Sequence, residues 1–171
     1  AMYTGKTWFP YNKGGDLRKW YGNNDYVVNW KDNGKEIRSI VGANGRIASR
    51  AQNTQFYFMS SITWSKIGTK KTSFRYKPNG HVFDVSGTSI FVNENEYQMY
   101  LLALLNTSII ENILAVMSPS LNFEVGQIAK LPVIIDKVNE VNEIAEVNVA
   151  EAKEEWDSFE ESWNFKKHPL I

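Results

Sequence analysis

The sequence predicts an α+β fold, in which a mixed or antiparallel β-sheet is packed by helices and followed by a long C-terminal helix. The first half of the chain contains short runs of β-branched and aromatic residues separated by Gly, Asn, Asp or Pro, a pattern typical of strands and turns. The second half repeats apolar residues every three or four positions, which is typical of helices.

The strand-like runs predict six strands, at residues 26–30, 36–41, 55–59, 72–76, 81–85 and 89–92. Residues 73–76 and 81–84 are predicted to form a hairpin across the turn at 77–80, because Pro78 presets the first turn dihedral and Asn79-Gly80 tolerates positive φ. On this hairpin, Arg75 and Lys77 would occupy the outward, charged face.

The helical half predicts helices at 96–105 and 107–117, joined at Asn106 and capped by Thr107 or Ser108. Pro132 is expected to end a short turn at 127–131. Beyond it, apolar positions step alternately by four and three, as in a heptad seam with one polar interruption: Ile134, Val138, Val141, Ala145, Asn148 and Ala152. This seam needs a partner, which is the domain's own flank, another part of a larger polypeptide or a second copy.

The neutral net charge conceals two oppositely charged halves. Residues 1–92 hold 14 Lys and Arg against 5 Asp and Glu, a net charge of +9, whereas residues 93–171 hold 5 against 14, a net charge of −9. A basic half rich in Trp, Tyr, Asn and Gln indicates a nucleic-acid surface. The plainer interpretation is a basic solvated face and an acidic solvated helix.

Length and composition exclude several classes. The chain is long enough for one compact domain with an appended helix, and it has no apolar run long enough to span a membrane and no signal peptide. It has no cysteine, which excludes disulfides, zinc fingers and thiol nucleophiles. A cytoplasmic setting is consistent with this, and the abrupt start at Ala1-Met2 indicates an excised fragment.

Motifs along the whole chain resemble one family. Residues 9–15, 18–23 and 26–30 are similar to the entry of the target-recognition domain in PglX-type adenine methyltransferases of BREX phage defence. Residues 119–133, with their Gln-Ile-Ala-Lys-Leu-Pro segment, are similar to the exit of such domains in restriction-modification enzymes. Residues 156–170 resemble the segment that follows recognition in the same family.

This resemblance implies the function and the organisation of the chain. Residues 1–133 would be the DNA target-recognition domain of an N6-adenine-specific DNA methyltransferase, and residues 134–171 a C-terminal helical segment of the same larger protein. The expected partners are double-stranded DNA, the catalytic domain of the same polypeptide and other defence-system subunits. S-adenosylmethionine would bind the parent protein, and no cofactor is expected in this chain.

Catalysis by the chain itself is not expected. Amino-methyltransferases hold the rotated adenine with an Asn/Asp-Pro-Pro-aromatic segment, and all five prolines here are isolated. The glycine clusters at 13–15 and 42–45 are interpreted as turns. His81 and His168 lack the spacing of a metal site. We therefore predict no catalytic, cofactor or metal residues.

Three groups of residues are predicted to contact DNA. Arg46 and Arg50 flank a turn that leads to Gln52 and Asn53, which places guanine-reading and adenine-reading side chains together. Lys66, Lys70 and Lys71 lie in a loop suited to phosphate contact. The third group is Arg75 and Lys77 of the predicted hairpin.

Other conspicuous side chains are interpreted as structural. Trp20, Trp30 and Trp64 lie in or beside apolar runs, which favours the core over a stacking platform. Asp84 is expected to make a structural hydrogen bond in preference to accepting a cytosine amino group.

Two other functional classes remain open from the sequence. In the first, the acidic seam helix docks a defence-complex partner, and the chain is a protein-interaction module. In the second, exposed Trp and Tyr bind carbohydrate. Steep salt dependence of binding would distinguish DNA recognition from both.

Overall fold

The computed structural model describes residues 5–67, 71–118, 122–168 and 170. The strands are β1 Trp8–Asn12, β2 Tyr26–Asn29, β3 Ser61–Trp64, β4 Phe74–Lys77, β5 Val82–Phe83 and β6 Ser89–Ile90. The helices are α1 Lys31–Ser39, α2 Gln98–Leu105, α3 Ser108–Met117, α4 Val125–Ile128 and α5 Val138–Asp157. The predicted α+β class and long C-terminal helix are confirmed.

Strands β1, β2 and β5 form the first sheet, in the order β2-β1-β5. β1 runs antiparallel to β2, with Phe9 opposite Val28, and parallel to β5, with Tyr11 opposite Val82. Aromatic residues dominate the small core of this sheet, which consists of Phe9, Trp30, Tyr57 and Val82. The first sheet therefore depends on side chains from the loop before β3 as well as on its own strands.

The second sheet is antiparallel and has the order β4-β3-β6. Ile62 in its central strand pairs with Tyr76 on one side and Ile90 on the other. Helical side chains complete a larger core with this sheet, whose fully buried members include Ile62, Trp64, Phe74, Leu102, Ile110 and Leu114. The predicted core positions of Trp64, in this core, and of Trp30, in the core of the first sheet, are confirmed, and Trp20 packs against the core that contains Trp64.

Asn12 joins the two sheets. Its buried Nδ2 donates hydrogen bonds to Thr63 Oγ1 at 2.7 Å and to the Gly87 carbonyl at 2.9 Å. Gly87 is required there, because a Cβ atom on it would lie 2.2 Å from the Asn12 carbonyl oxygen. Close backbone contact thus fixes the end of β1 against the second sheet.

Two predicted strands are wrong. Residues 36–41 belong mostly to α1, where the Asn29 side chain accepts from the Lys31 amide and Asp32 to Gly34 take left-handed dihedrals. Residues 55–59 contain a 3₁₀ turn that starts at left-handed Asn53. In both segments, the side chains that suggested a strand pack one by one into the core of the first sheet, as Ile37 and Tyr57 do.

The predicted hairpin at 73–84 is also wrong. The turn after Lys77 exists, but β4 pairs with β3 and β5 pairs with β1, so the turn passes between sheets. The backbone of Phe58 takes the hydrogen bonds near the turn, because its amide donates to the His81 carbonyl at 2.8 Å and its carbonyl accepts from Gly80 at 3.0 Å.

The helical predictions hold for α2 and α3. Asn106 ends α2, and the Thr107 side chain accepts a hydrogen bond from the Ile110 amide at the start of α3. Asn106 also pairs with the edge of β4, donating to the Phe74 carbonyl at 2.9 Å and accepting from the Phe74 amide at 3.1 Å. One side chain therefore satisfies both a helix junction and a strand edge.

The seam on α5 faces the domain's own flank, because α5 packs against α2. Ala145 and Trp156 are buried on this side, whereas Ile134 lies outside the helix and is exposed. The domain boundary predicted between residues 133 and 134 falls in the extended stretch before α5 and stays a prediction. In the described ranges, no single helix has the length and apolarity to cross a membrane, and only the bent pair Asn95–Leu105 and Ser108–Met117 passes that test jointly.

Candidate nucleic-acid interface

Exposed cations collect in residues 31–50, which we call the basic arm. Its members are Lys31, Lys35, Arg38, Arg46 and Arg50, all exposed, against the two acids Asp32 and Glu36, a net charge of +3. Among the described residues, none of these cations lies within ion-pair distance of a carboxylate. The arm therefore has positive charge that is not neutralised within the described chain.

A small loop projects from the arm. An antiparallel bridge between Val41 and Ile47 closes it, and the Gly42 amide donates to the Arg46 carbonyl at 2.8 Å. Gly45 takes a φ of +73° at its tip, as the predicted turn requires. Val41 and Ile47 are 59% and 68% exposed, so the loop presents apolar side chains next to the Arg46 cation.

Beside the arm lies a cleft of about 570 Å³. Its rim holds four of the predicted site residues, Arg50, Gln52, Asn53 and Lys66. Its walls are largely aromatic and include Tyr11, Trp30, Phe56, Tyr57, Phe83 and Phe91. The structure thus brings together Arg50, Gln52 and Asn53 of the first predicted group and Lys66 of the second at one concave site. The volume of this site is in the range of small-ligand sites.

The aromatic walls are in mutual contact. The rings of Phe56 and Phe91 stack with centroids 4.8 Å apart and an interplanar angle of 19°. Phe83 lies 5.3 Å from Phe91 and meets the edge of Tyr57 at 5.0 Å. These contacts hold the walls in a fixed arrangement.

Asp84 contributes a carboxylate to the cleft, and its predicted structural role is confirmed. One carboxylate oxygen accepts from the Tyr11 hydroxyl at 2.8 Å, and the other accepts from the amides of Ser86 and Gly87. Burial, together with this bond to Asp84, raises the pKa of Tyr11 well above its ordinary value. The hydroxyl therefore remains a proton donor at neutral pH.

The second predicted group, Lys66, Lys70 and Lys71, has only part of its charge free of ion pairs. Lys66 forms an ion pair with Glu124 at 3.1 Å, and Lys71 pairs with Glu111, which Lys19 also approaches at 3.7 Å. Lys70 lies outside the described residues. Several cations of the basic half are therefore neutralised by acids of the second half.

The outward orientation predicted for Arg75 and Lys77 is wrong. They are 0% and 1% exposed, because residues 16–24 lie across their strand. The Arg75 guanidinium donates to the carbonyls of Asp16 and Arg18 and to the hydroxyls of Ser65 and Ser73. Burial lowers the pKa of Arg75 to about 10 and that of Lys77 well below its ordinary value. Neither cation is accessible to DNA, so both are removed from the candidate site.

The aromatic cleft was missed by the sequence interpretation. Its signal is the run Phe56-Tyr57-Phe58 followed by Phe83 and Phe91, which was interpreted as strand material. The cation pairing across the two halves could not be found from spacing, since the partners are far apart in the chain. Within the described residues, no three His, Asp or Glu side chains are grouped to hold a metal ion.

Two proteins are similar to nearly the whole chain. The adenine-specific methyltransferase PglX of Lacticaseibacillus casei (strain Zhang) is 42% identical over 167 residues, which is 97% of this chain and 14% of that protein. The adenine-specific methyltransferase BrxX of Escherichia coli O9:H4 (strain HS) is 37% identical over 166 residues, 96% of this chain and 13% of that protein. No family model matches the chain.

These matches confirm the resemblance predicted from the motifs. The chain spans only about one-seventh of the length of either relative. The region that it matches is a domain-sized segment of each relative.

Proposed function

We propose that this chain, a segment of a PglX-type adenine-specific methyltransferase, is the domain that recognises duplex DNA in a restriction-modification or BREX phage-defence enzyme. It supplies sequence choice and holds the duplex, while another part of the polypeptide performs methyl transfer. Adenine is rotated out of the duplex into that catalytic part.

The basic arm is the observation that carries this proposal. Its five cations are exposed and have no carboxylate partner in the described chain, which is the condition for contacting phosphates without first breaking an ion pair. The projecting loop with Arg46 and the amides of Gln52 and Asn53 lie on the same stretch of chain. The cations of the arm, Arg46 included, would contact phosphates and set the register, and the Gln52 and Asn53 amides would read base edges.

The residues of this chain do not fit S-adenosylmethionine. The prolines are isolated, so the Asn/Asp-Pro-Pro-aromatic segment that would hold the rotated adenine beside that cofactor is also absent. Gly14 and Gly15 follow β1 but lead into an irregular segment and not into a helix that could receive the cofactor. We assign the cofactor and the reaction to the remainder of the larger protein.

The test is binding of the 171-residue chain to a mixed-sequence duplex at about 50 mM and about 200 mM salt. The test variant is Arg46→Ala/Arg50→Ala. We expect affinity to fall steeply with salt, and the variant to lower the log–log salt slope by up to about 2, since each phosphate contact contributes about 0.9.

The matched control is Lys166→Ala/Lys167→Ala, which removes two exposed cations from the acidic half. This control should keep the wild-type slope. Absence of binding at the lower salt concentration, or equal losses in both double variants, would contradict recognition through the basic arm.

A second candidate is a protein-interaction module built on α5. Ile144 and Val147 are 62% and 56% exposed on this helix, outside its contact with α2, and acidic residues surround them. Such a surface suits another part of the same polypeptide. Binding through these apolar side chains would persist at high salt, whereas binding to phosphates would not.

A further inference from the structure

We infer that the aromatic cleft beside the basic arm binds a single nucleobase that has left the base stack. This inference rests on the proposed function, because it names what part of the DNA this site would take. The inference goes beyond the proposed function, because contacts with the grooves and with phosphates need no enclosed aromatic site.

The composition of the cleft matches an unstacked nucleotide. Its volume of about 570 Å³ lies in the range of small-ligand sites. Half-buried Phe56, Phe83 and Phe91 line the interior, and aromatic side chains are the usual platforms for unstacked bases.

The rim adds hydrogen-bonding groups to the aromatic interior. Gln52 and Asn53 are exposed at the mouth, and their amides both donate and accept, as the polar edge of a base requires. Asn53 takes a left-handed φ of 55°, so the backbone turns sharply at this point and begins the 3₁₀ turn that carries Phe56. One short segment therefore supplies both amides and one wall.

The charge at the mouth is suited to the phosphate of the same nucleotide. Arg50 belongs both to the basic arm and to the rim, and no described carboxylate pairs with it. Lys66, which also lines the cleft, is already paired with Glu124 at 3.1 Å. A strand that follows the arm would reach the cleft at Arg50, with its base directed to the aromatic walls.

The test compares two duplexes of the same sequence, one fully paired and one with an unpaired adenine bulge. Unstacking is already accomplished in the bulge, so the wild-type chain should bind it roughly tenfold more tightly. Phe56→Leu should reduce this preference to less than about threefold while leaving affinity for the paired duplex nearly unchanged. Gln52→Ala should reduce the preference as far, and it should also weaken binding to the paired duplex, where Gln52 reads base edges. The folded state of each variant is checked by thermal unfolding.

The matched control is Gln55→Ala, since Gln55 is exposed on the same segment but does not line the cleft. It should retain the full preference. Equal affinity of the wild type for both duplexes would overturn the nucleobase site and leave the proposed DNA recognition intact. Loss of the preference in Gln55→Ala would also overturn it, and absence of binding to either duplex would overturn both proposals.

Discussion

The Lys77 ammonium nitrogen lies 2.9 Å from the carbonyl oxygen of Gly22, inside the domain and away from solvent. The Asn23 carbonyl and the Asn24 side chain complete its partners, and no described carboxylate pairs with it. The described hydrogen-bond partners of this buried group are all dipoles, and the more distant Asp25 carboxylate adds a favourable Coulomb interaction that is smaller than the cost of burial. Its hydrogen bonds fasten residues 22–24 to β4, and those of the neighbouring Arg75 fasten Asp16 and Arg18.

Removing this charge should change how stability depends on pH. Burial, followed by the Arg75 charge, lowers the pKa of Lys77 in the folded state, so the unfolded state binds more protons. The contribution of Lys77 to stability is therefore complete above the unfolded pKa and is lost as pH falls. We expect the difference in unfolding free energy, wild type minus Lys77→Met, to increase between about pH 7 and about pH 9.5. Chemical denaturation at several pH values measures it, and a constant or decreasing difference would contradict the lowered pKa of Lys77.

His81 should produce a second pH effect, in the acidic range. Burial, followed by the Lys77 charge, lowers the pKa of His81 to about 4, and its Nδ1 lies 2.9 Å from the Pro78 carbonyl. The stability contributed by its neutral form is lost as pH falls from about 6.5 to about 4, and we expect a loss of about 2 to 3 kcal/mol. In His81→Gln this part of the pH dependence should disappear. The matched variant of exposed His168, His168→Gln, should keep the wild-type profile; a similar flattening there would argue against His81 as the source.

Helices were predicted from the sequence more accurately than strands, for a physical reason. In α2 and α3 the apolar spacing, the Asn106 junction and the Thr107 cap are all local signals. In the first half, packing between distant segments decides the structure. The backbone of Phe58 forms the hydrogen bonds that a hairpin after β4 would have needed. Pro10 argues against a central strand, yet β1 is central, and Pro10 is tolerated because β5 pairs only with the last two residues of β1.

The sequence likewise predicted some features of the candidate site and not others. Arg46, Arg50, Gln52 and Asn53 are neighbours in sequence, and the structure keeps them exposed on one segment. Arg75 and Lys77 showed the alternation of an outward face, but residues 16–24 cover that face. Alternation alone does not reveal which face of a strand a distant loop will bury.

Backbone contact between the sheets predicts a strong position effect for glycine. Gly87→Ala would place a Cβ 2.2 Å from the Asn12 carbonyl oxygen, and neither backbone can move without breaking the junction of the two sheets. We expect a loss of about 2 to 4 kcal/mol of unfolding free energy. Gly126→Ala is the control, because its Cβ meets open space in α4; it should be neutral or stabilising by up to about 1 kcal/mol. Equal effects at the two positions, measured by urea denaturation, would refute the close junction.

Packing of α5 on α2 predicts that one face of α5 tolerates little change. Ala145 is 0% exposed, so Ala145→Leu should overpack the interface and lower the unfolding free energy by about 1 to 3 kcal/mol. Val147→Leu, two positions away and 56% exposed, should change it by less than about 0.5 kcal/mol. Thermal unfolding of both variants tests this. A destabilised Val147→Leu beside an unaffected Ala145→Leu would mean that the helix presents its other face to the domain.

Pairing of cations with acids predicts which changes alter DNA affinity. Lys66 is held by Glu124, whereas Arg50 has no described acidic partner. Arg50→Ala should therefore lower the salt slope by about 1, and Lys66→Ala by less than half as much. Glu124→Gln should strengthen duplex binding, since it frees the Lys66 charge and removes an anion from the mouth of the cleft. Glu140→Gln, which neutralises an exposed acid on α5, is the control and should leave affinity unchanged. Titration of a labelled duplex at two salt concentrations measures all four variants. A larger decrease in salt slope from Lys66→Ala than from Arg50→Ala would place the DNA at Lys66 instead of along the basic arm.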